Sequence, residues 1–269
     1  MRSRLSLSVL LLLLNVPLSL SYAATAPLAE PDSGTPILLY HRFGPTVADG
    51  MTIKTSVFEA HLRYLRDNGY RVIPLRQLVA WKLRQGPPPP PKSVVIVEDD
   101  AHKSVYTDML PLVKRYNVPV TVFIYPSAIS NAKYAMTWDQ LRALKRSGLF
   151  DFQGHTFWHP NFKRDRKKMK PEEFEKSVDM QLTKSKARIE KELGVKVEML
   201  AWPFGIYDDY LLKKAAAAGY VATFSIERRY VTASDSVMKL PRYLMINSDQ
   251  GKAFTHILAG TDPKRNKVL

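Results

Sequence analysis

Cysteine is absent from this chain of 269 residues. Its absence excludes disulfides, thiol nucleophiles, cysteine-based zinc sites and a lipidated cysteine anchor together. Any bound metal must therefore be held by histidine and carboxylate side chains. Hydrophobic residues make up 45% of the chain and charged residues 24%, a balance that predicts one folded domain of catalytic size and excludes a disordered or collagen-like chain.

Acidic residues are few relative to basic ones: the chain has 25 Asp and Glu and 40 Lys and Arg, which gives a net charge of +15. Such a surface attracts polyanions whatever reaction the protein carries out. One short run holds six of the cations: Lys163, Arg164, Arg166, Lys167, Lys168 and Lys170. We expect either a solvated loop and helix entry there, or an electrostatic contact with acidic wall polymers or an anionic membrane surface. Predicted export and the lack of a binding motif weigh against nucleic acid as the partner.

Long uninterrupted hydrophobic runs are missing too. The Leu-rich stretch 5–20 follows two arginines, contains serine, asparagine and proline, and precedes small-residue patterns typical of signal-peptidase sites. A membrane-spanning helix needs about 20 mostly apolar residues, so a cleaved signal is favoured over a membrane anchor. We predict a signal peptide at 1–26, a leader at 27–35 and a single domain at 36–269, exported to the periplasm or secreted.

Short apolar segments alternate with amphipathic ones in the rest of the chain, and turn or helix-stop residues separate them. This alternation predicts an α/β fold with a parallel sheet, and it favours a distorted (β/α) barrel of about seven strands over a sandwich. The predicted strands are Pro36–Tyr40, Arg71–Ile73, Ser93–Val97, Val118–Ile124, Phe150–Gln153, Met199–Trp202 and Tyr220–Phe224. The predicted helices with clear end signals are Val57–Asn68 after Thr55 or Ser56, one opened by a Thr137–Gln140 capping box, and one from Pro171 to Gly194.

Three adjacent carboxylates, Glu98, Asp99 and Asp100, follow one of the apolar strands directly. Adjacent carboxylates repel one another unless a cation or a proton lies between them, and the C-terminal ends of parallel strands are where sites form. The cluster therefore predicts a metal site rather than a solvated acidic turn. Because side chains alternate along an extended chain, we expect Asp99 to point away from Glu98 and Asp100.

Two histidines, His155 and His159, follow another strand at a spacing that can present both imidazoles to one ion. Together with an aspartate they predict an open site of nitrogen and oxygen ligands. Such a site suits Zn²⁺ and accepts Co²⁺, Ni²⁺ or Fe²⁺, and it leaves room for a water nucleophile and a substrate oxygen.

Two further strand ends carry residues of interest. Trp202, Pro203 and Phe204 offer an aromatic wall and a turn whose backbone N–H groups can face a developing oxyanion, although an ordinary turn has the same pattern. His41 ends the first predicted strand, and an imidazole is suited to protonating a leaving amine near neutral pH.

These motifs resemble those of the polysaccharide deacetylases, which remove acetyl groups from N-acetylglucosamine polymers, over about Pro36 to Ile246. The acidic segment resembles the family's Thr-Phe-Asp-Asp-Gly motif, the two histidines its His-(Ser/Thr)-x-x-His motif, and the third segment its Pro-(Tyr/Phe)-Gly motif. The resemblance implies Asp99 as the catalytic base. It implies Asp100, His155 and His159 as the metal ligands, and the backbone amide of Phe204 as an oxyanion donor.

The first strand end, Leu38-Leu39-Tyr40-His41, resembles the opening of a circularly permuted branch of that family, the biofilm poly-N-acetylglucosamine deacetylases. In that branch the catalytic acid histidine lies at the start of the domain, which implies His41 rather than His256. Leu240-Pro241-Arg242 resembles a late segment of the same branch. Arg242 is expected either to brace the active-site carboxylates or to form a surface ion pair.

Two positions depart from the acidic motif. Glu98 stands where the family has Phe, and we expect it to add negative charge beside the metal. Ala101 replaces the usual Gly of the turn. The predicted function is metal-dependent de-N-acetylation of an extracellular or cell-wall polysaccharide that contains N-acetylglucosamine, with release of acetate. The alternative is a weakly active or inactive glycan-binding domain, in which Trp158, Trp202 and Phe204 would stack on sugars.

Overall fold

A computed structural model describes residues 34–264, so the predicted signal peptide and most of the predicted leader lie outside the described residues. The main sheet has the strand order β10-β1-β5-β6-β7-β8-β9, all neighbours are parallel, and β4 also pairs with β5; β2 and β3 form a separate parallel pair. The strands are β1 (Ile37–Tyr40), β2 (Arg42–Gly44), β3 (Thr52–Lys54), β4 (Arg71–Val72), β5 (Ser93–Asp99), β6 (Val120–Ile124), β7 (Phe150–Gly154), β8 (Met199–Ala201), β9 (Ala222–Phe224) and β10 (Tyr243–Leu244). All seven predicted strands are present.

Helices connect the strands and cover the outside of the sheet. They are α1 (Thr55–Asp67), α2 (Leu75–Lys82), α3 (Leu110–Tyr116), α4 (Trp138–Arg146), α5 (Phe162–Arg166), α6 (Pro171–Leu193), α7 (Asp209–Ala217) and α8 (Lys252–Leu258). A π-helical turn at Val105–Met109 leads into α3, and 3₁₀ turns lie at Pro203–Gly205 and Val237–Lys239. Within residues 34–264, no helix combines the length and apolar character that crossing a membrane requires.

The predicted end signals of two helices are present, and the predicted N-cap of a third is not. The capping box of α4 forms, with Gln140 N donating to Thr137 Oγ1 at 3.2 Å and Thr137 N to Gln140 Oε1 at 2.9 Å. Helix α6 ends at Gly194 in the left-handed conformation, as predicted. The predicted N-cap of α1 is wrong: the helix already includes Thr55, whose hydroxyl donates instead to Asp108 Oδ1 at 2.8 Å.

Both faces of the sheet are buried, which explains why the strands are continuous apolar runs. Side chains on one face form an inner core; they include Leu39, Val97, Phe123 and Phe224. Side chains on the other face, such as Tyr40, Ile96 and Val122, pack under the helices. A residue near a strand end is therefore directed either into the barrel or towards the helices.

Strand β10 was not predicted, although it joins the two edges of the curled sheet. Leu240 pairs with Phe224 of β9, and three positions further on β10 pairs with β1 through Tyr243 and Leu38. The two-residue strand follows Pro241 and a charged residue, so it lacks the apolar run that predicts the other strands. Its place in the sheet brings Arg242 to the interior of the barrel.

Candidate active site

The residues expected to carry chemistry come from four strand ends on one edge of the sheet. Asp99 ends β5 and Asp100 follows it, while His41 follows the neighbouring β1. The loop after β7 holds both site histidines, and Phe204 lies in the turn after β8. Parallel strands place all these ends on the same side, which is why separate segments of the sequence meet there.

Three potential ligands meet at this edge. Asp100 Oδ1 lies 3.7 Å from His155 Nε2 and 3.6 Å from His159 Nε2. One ligand atom from each of the three residues lies within 4.8 Å of the others. An ion bound about 2.1 Å from each ligand in tetrahedral geometry separates the ligand atoms by about 3.4 Å. The three groups therefore need only small shifts to bind one divalent ion.

The chemistry of these groups also fits a metal. Asp100 Oδ1 is buried and has no hydrogen-bond partner among the described residues, a costly state for a carboxylate oxygen that an ion would relieve. His155 Nδ1 donates to the backbone oxygen of Ala201 at 2.7 Å, so its Nε2 carries the lone pair that faces Asp100. Burial lowers the pKa of His155 to about 3 and lowers that of His159 as well, so both imidazoles are neutral at pH 7, as ligands must be.

Left-handed backbone conformations are concentrated in the site loops. Positive φ angles occur at Asp100 (82°), Ala101 (54°), Thr156 (62°), His159 (56°) and Phe204 (57°). Each costs on the order of 1–2 kcal/mol for a residue with a Cβ, and such strain accumulates at functional sites where the surrounding structure enforces it. Ala101 thus adopts the conformation for which glycine is favoured, and the turn forms despite the substitution.

The expected side-chain alternation after β5 is wrong in one respect. Asp99 and Asp100 both face the site, since each has an oxygen 3.7 Å from His155 Nε2. The cause is the positive φ of Asp100, which ends the extended conformation and turns this side chain to the same side as Asp99. Glu98 alone points the other way.

The sequence predicts that Glu98 adds negative charge beside the metal, and the structure shows that this prediction is wrong. Its side chain is fully buried on the helix-facing side of the sheet, level with Tyr40 and Val122. Its carboxyl accepts from Ala101 N at 3.2 Å and from His102 N at 3.4 Å, so it fastens the turn that carries Asp100. Burial, reinforced by the two aspartates, raises the pKa of Glu98 well above its ordinary value.

Asp99 is held by Arg242 in a bidentate ion pair with distances of 2.8 and 2.9 Å. Arg242 is fully buried, and its Nε donates to the backbone oxygen of Ser225 at 2.9 Å, so the alternative of a surface ion pair is wrong. Burial alone would raise the pKa of Asp99, but the guanidinium, helped by His155, outweighs it and lowers the pKa. Asp99 is therefore a carboxylate in a fixed orientation.

His41 faces the two aspartates from the end of β1. Burial lowers its pKa, while the charges of Asp100 and Asp99 raise it and partly compensate. Its Nδ1 is buried without a hydrogen-bond partner among the described residues. His256, by contrast, lies on the exposed side of α8, where its Nδ1 contacts Thr261 Oγ1 at 3.1 Å.

The segment after β8 is divided between site and core. Phe204 is 55% exposed and its ring lies edge-on to His159, 4.6 Å between centroids, while Pro203 beneath it is buried. Trp202 is 1% exposed; its Nε1 donates to Thr223 Oγ1 at 3.0 Å and its ring packs against Phe162. The expectation that Trp202 lines the cleft is wrong, because its side chain points into the helix-side core.

Several residues near the site were missed. Gln181 of α6 is buried, and its Oε1 accepts from Phe157 N at 3.0 Å and Trp158 N at 2.8 Å, fixing the loop between the two histidines. Tyr125 lies 5.3 Å from the His159 ring, centroid to centroid, and its hydroxyl contacts that of Tyr134 at 2.6 Å. Tyr125 directly follows β6, so the strand-end rule could have found it, whereas nothing in the sequence pointed to Gln181.

Solved structures of other proteins share this fold. A deacetylase of Streptococcus pyogenes, PplD, solved in complex with acetate, superposes with a TM-score of 0.74 at 21% identity, covering 84% of this chain and 98% of that one. IcaB from Ammonifex degensii superposes with a TM-score of 0.72 at 21% identity, covering 86% and 98%. These likenesses confirm the distorted (β/α) barrel.

Sequence comparison then gives the family. The family model for polysaccharide deacetylases matches residues 86–223, just over half of the chain. The poly-β-1,6-N-acetyl-D-glucosamine N-deacetylase of Staphylococcus aureus strain MRSA252 is 25% identical over 215 residues, which cover 78% of this chain and 72% of that protein. This chain belongs to the polysaccharide deacetylase family, hydrolases that act on amide bonds, as the sequence motifs implied.

Proposed function

We propose that the protein removes acetyl groups from N-acetylglucosamine units of an extracellular or cell-wall polysaccharide and releases acetate, with a divalent metal held by Asp100, His155 and His159. The observation that carries this proposal is the unpartnered buried Asp100 Oδ1 beside two imidazole nitrogens, 3.6 and 3.7 Å away. Zn²⁺ suits such a site best, and Co²⁺, Ni²⁺ or Fe²⁺ would also fit it. When bound, the ion would polarise the acetamide carbonyl and favour ionisation of the attacking water.

The residues around the ligands have separate tasks in this proposal. Asp99 takes up a proton from water, and Arg242 keeps its carboxylate ionised and correctly oriented. His41, on the other side of the aspartates, gives a proton to the departing amine. The backbone N–H of Phe204 donates to the oxygen of the tetrahedral species, and the exposed Phe204 ring packs against the sugar.

The substrate class follows from a relative and not from the site alone. The Staphylococcus aureus relative is named for poly-β-1,6-N-acetyl-D-glucosamine, and a polymer of that type is the substrate we propose to test first. Export to the periplasm or the exterior, with loss of residues 1–26, belongs to the same proposal because such polymers lie outside the cytoplasm.

A glycan-binding protein without turnover is the second candidate. Two large aromatic side chains beside the site, Trp158 and Phe204, are 56% and 55% exposed, as in carbohydrate-stacking surfaces. Binding of an N-acetylglucosamine oligomer that survives Asp99→Asn, with no acetate released by the unaltered protein, would favour this candidate.

The direct experiment measures acetate release from β-1,6- and β-1,4-linked N-acetylglucosamine oligomers by the mature protein. We expect release that a chelator abolishes and that Zn²⁺ or Co²⁺ restores. Asp100→Asn and His155→Gln should lose both bound metal and activity, whereas His256→Gln, far from the ligands, should keep both. If the metal-loaded protein releases no acetate from any N-acetylated glycan, the proposal that it is an enzyme is wrong.

A further inference from the structure

A cavity lies between α5 and the segment that follows the Pro203–Gly205 turn. It has a volume of about 400 Å³ and is lined from two directions. One wall is α5 and the residue after it, including Lys163, Arg166 and Lys167; the other is the segment Ile206–Asp208. None of the proposed ligands or proton-transfer residues lines it.

Both walls are direct continuations of the site loops. Lys163 is four residues beyond His159, and Ile206 is two residues beyond Phe204. At 3.8 Å per residue the lining therefore begins at most about 8 to 15 Å from those residues. A sugar polymer with one unit at the metal ligands can place another unit, a few positions along, in this cavity.

The charge of the cavity is positive. Arg166 is neutralised, because its guanidinium pairs with the Asp208 carboxylate, and the rings of Phe174 and Tyr210 fix it from behind at 4.8 and 5.1 Å. In residues 34–264, no ion pair includes Lys163 or Lys167. Two uncompensated ammonium groups thus remain at the rim.

The floor of the cavity is apolar. Phe162, which is 2% exposed, lies there together with Leu211, and Ile206 adds apolar surface from the wall. Tyr207 contributes its ring to the wall while its hydroxyl donates to Glu227 Oε1 at 2.7 Å, which fixes the ring. An apolar floor with a cationic rim is complementary to a pyranose ring that carries an anionic substituent.

We propose that this cavity is a subsite for an anionic sugar residue, carrying a carboxylate or a phosphate, so that the protein prefers an acidic N-acetylated glycan over a neutral one. This inference rests on the proposed function for its substrate, and it assigns to Lys163 and Lys167 the recognition of the negative group. It also predicts that a glucosamine unit bearing a free ammonium, the product of deacetylation, is repelled from the subsite.

The test compares matched oligosaccharides on the zinc-loaded protein by calorimetry at low ionic strength. The probes are an oligomer alternating N-acetylglucosamine with a carboxylate-bearing N-acetylated sugar, the same oligomer with its carboxylates amidated, and an N-acetylglucosamine oligomer bearing a phosphate. We expect the anionic probes to bind about five- to tenfold more tightly than the amidated one, since each exposed charge pair contributes little. Comparing the carboxylate and phosphate probes shows which anion the subsite prefers.

Matched variants distinguish the effect of the subsite on binding from the effect of general surface charge. Lys163→Gln with Lys167→Gln should abolish the preference for the anionic probes, and Lys168→Gln with Lys176→Gln, which removes the same charge outside the cavity, should keep it. The proposal would be overturned if both double variants lost the preference for the anionic probes equally, or if the unaltered protein showed no such preference. The proposal would also be overturned if Lys163 and Lys167 were needed for binding to anionic lipid vesicles but not for binding to the acidic glycan.

Acetate release from the neutral oligomer is measured in the same series. Anion preference without any acetate release means that the proposed function has failed while the subsite stands. Acetate release without anion preference means that the subsite proposal has failed while the proposed function stands.

Discussion

Arg242 and Asp99 form a bidentate contact inside the barrel, with both terminal guanidinium nitrogens within 2.9 Å of a carboxylate oxygen. The arginine immediately precedes β10 and the aspartate ends β5, 143 positions away in sequence. The rings of Phe123 and Phe224 flank the guanidinium at 5.4 and 6.0 Å, so the pair is shielded from water. A buried pair of this kind fixes the direction of a carboxylate far better than it stabilises the fold.

Replacing Arg242 by lysine should impair the reaction more than the fold. A single ammonium cannot bind both carboxylate oxygens, so the pKa of Asp99 should rise and its orientation should loosen. We expect kcat to fall about 100-fold, and the acidic limb of the profile of kcat/KM against pH to move to higher pH. Steady-state kinetics of the zinc-loaded protein between pH 4 and pH 9 provide the measurement.

The matched control is Arg228→Lys. Arg228 is also buried and pairs with Asp249 and Asp262 at 2.9 and 2.6 Å, but away from the ligands. This variant should lose stability while its pH profile stays in place. An unmoved acidic limb in the Arg242 variant, with kcat near that of the unaltered protein, would show that the pair is only structural.

Glu98→Gln should make the metal-free protein less sensitive to alkaline pH. Burial and the two neighbouring aspartates raise the pKa of Glu98 in the folded state. The folded chain therefore keeps a proton that the unfolded chain releases near 4.5, so stability is fully present below that pH and is lost as the pH rises towards the folded-state pKa. Glutamine stays neutral and can still accept from Ala101 N.

The measurement is urea unfolding of chelated protein at pH 5 and pH 8. The loss of unfolding free energy between these two conditions should be smaller in Glu98→Gln than in the unaltered chain. The exposed Glu172, replaced in the same way, should leave that loss unchanged. Equal losses in all three proteins would contradict a raised pKa for Glu98.

The sequence was sufficient for seven of the strands and for which of their ends meet, because both follow from buried apolar runs and parallel topology. It did not predict the short strands β2, β3 and β10. It was insufficient wherever a single backbone angle decides which way a side chain points. The positive φ of Asp100 reverses the side expected from alternation, and Glu98 is buried among apolar groups although its type predicts exposure. Trp202 illustrates the same limit, since an aromatic residue at a strand end can face the cleft or the core.

Lowering the pH should destabilise the fold through His61, a buried histidine outside the site. Tyr40 OH contacts its Nδ1 at 3.0 Å, and its Nε2–H donates to the backbone oxygen of Asp249 at 2.7 Å, so the neutral ring is held at both nitrogens. Burial lowers the pKa of His61 from 6.5 to about 4. Between these values the unfolded chain binds a proton that the folded chain does not, so stability falls as the pH falls, by about 3 kcal/mol in total.

His61→Phe isolates this contribution. The variant should be less stable at pH 7, because the hydroxyl of Tyr40 loses its partner, but it should lose less further stability between pH 6.5 and pH 4.5. His256→Gln, at an exposed position, should show the pH dependence of the unaltered chain. Thermal unfolding across this range is the measurement, and an unchanged slope in His61→Phe would refute the assignment.

Gln181→Met should weaken metal binding although the residue touches none of the proposed ligands. Methionine has a similar shape but cannot accept from the N–H groups of Phe157 and Trp158, so two partly buried donors lose their acceptor and the loop between His155 and His159 loosens. Loss of such a supporting contact reduces metal affinity about 10- to 100-fold. Zinc affinity measured by competition with a chromogenic chelator tests this.

Gln140→Met provides the comparison for that experiment. It also removes a glutamine acceptor from a backbone N–H, that of Thr137 in the capping box of α4, but on a surface helix away from the ligands. We expect it to lower the unfolding temperature slightly and to leave zinc affinity unchanged. If Gln181→Met binds zinc as tightly as Gln140→Met, the histidine loop is rigid without Gln181, and positive φ at Thr156 and His159 must be maintained by the ligands themselves.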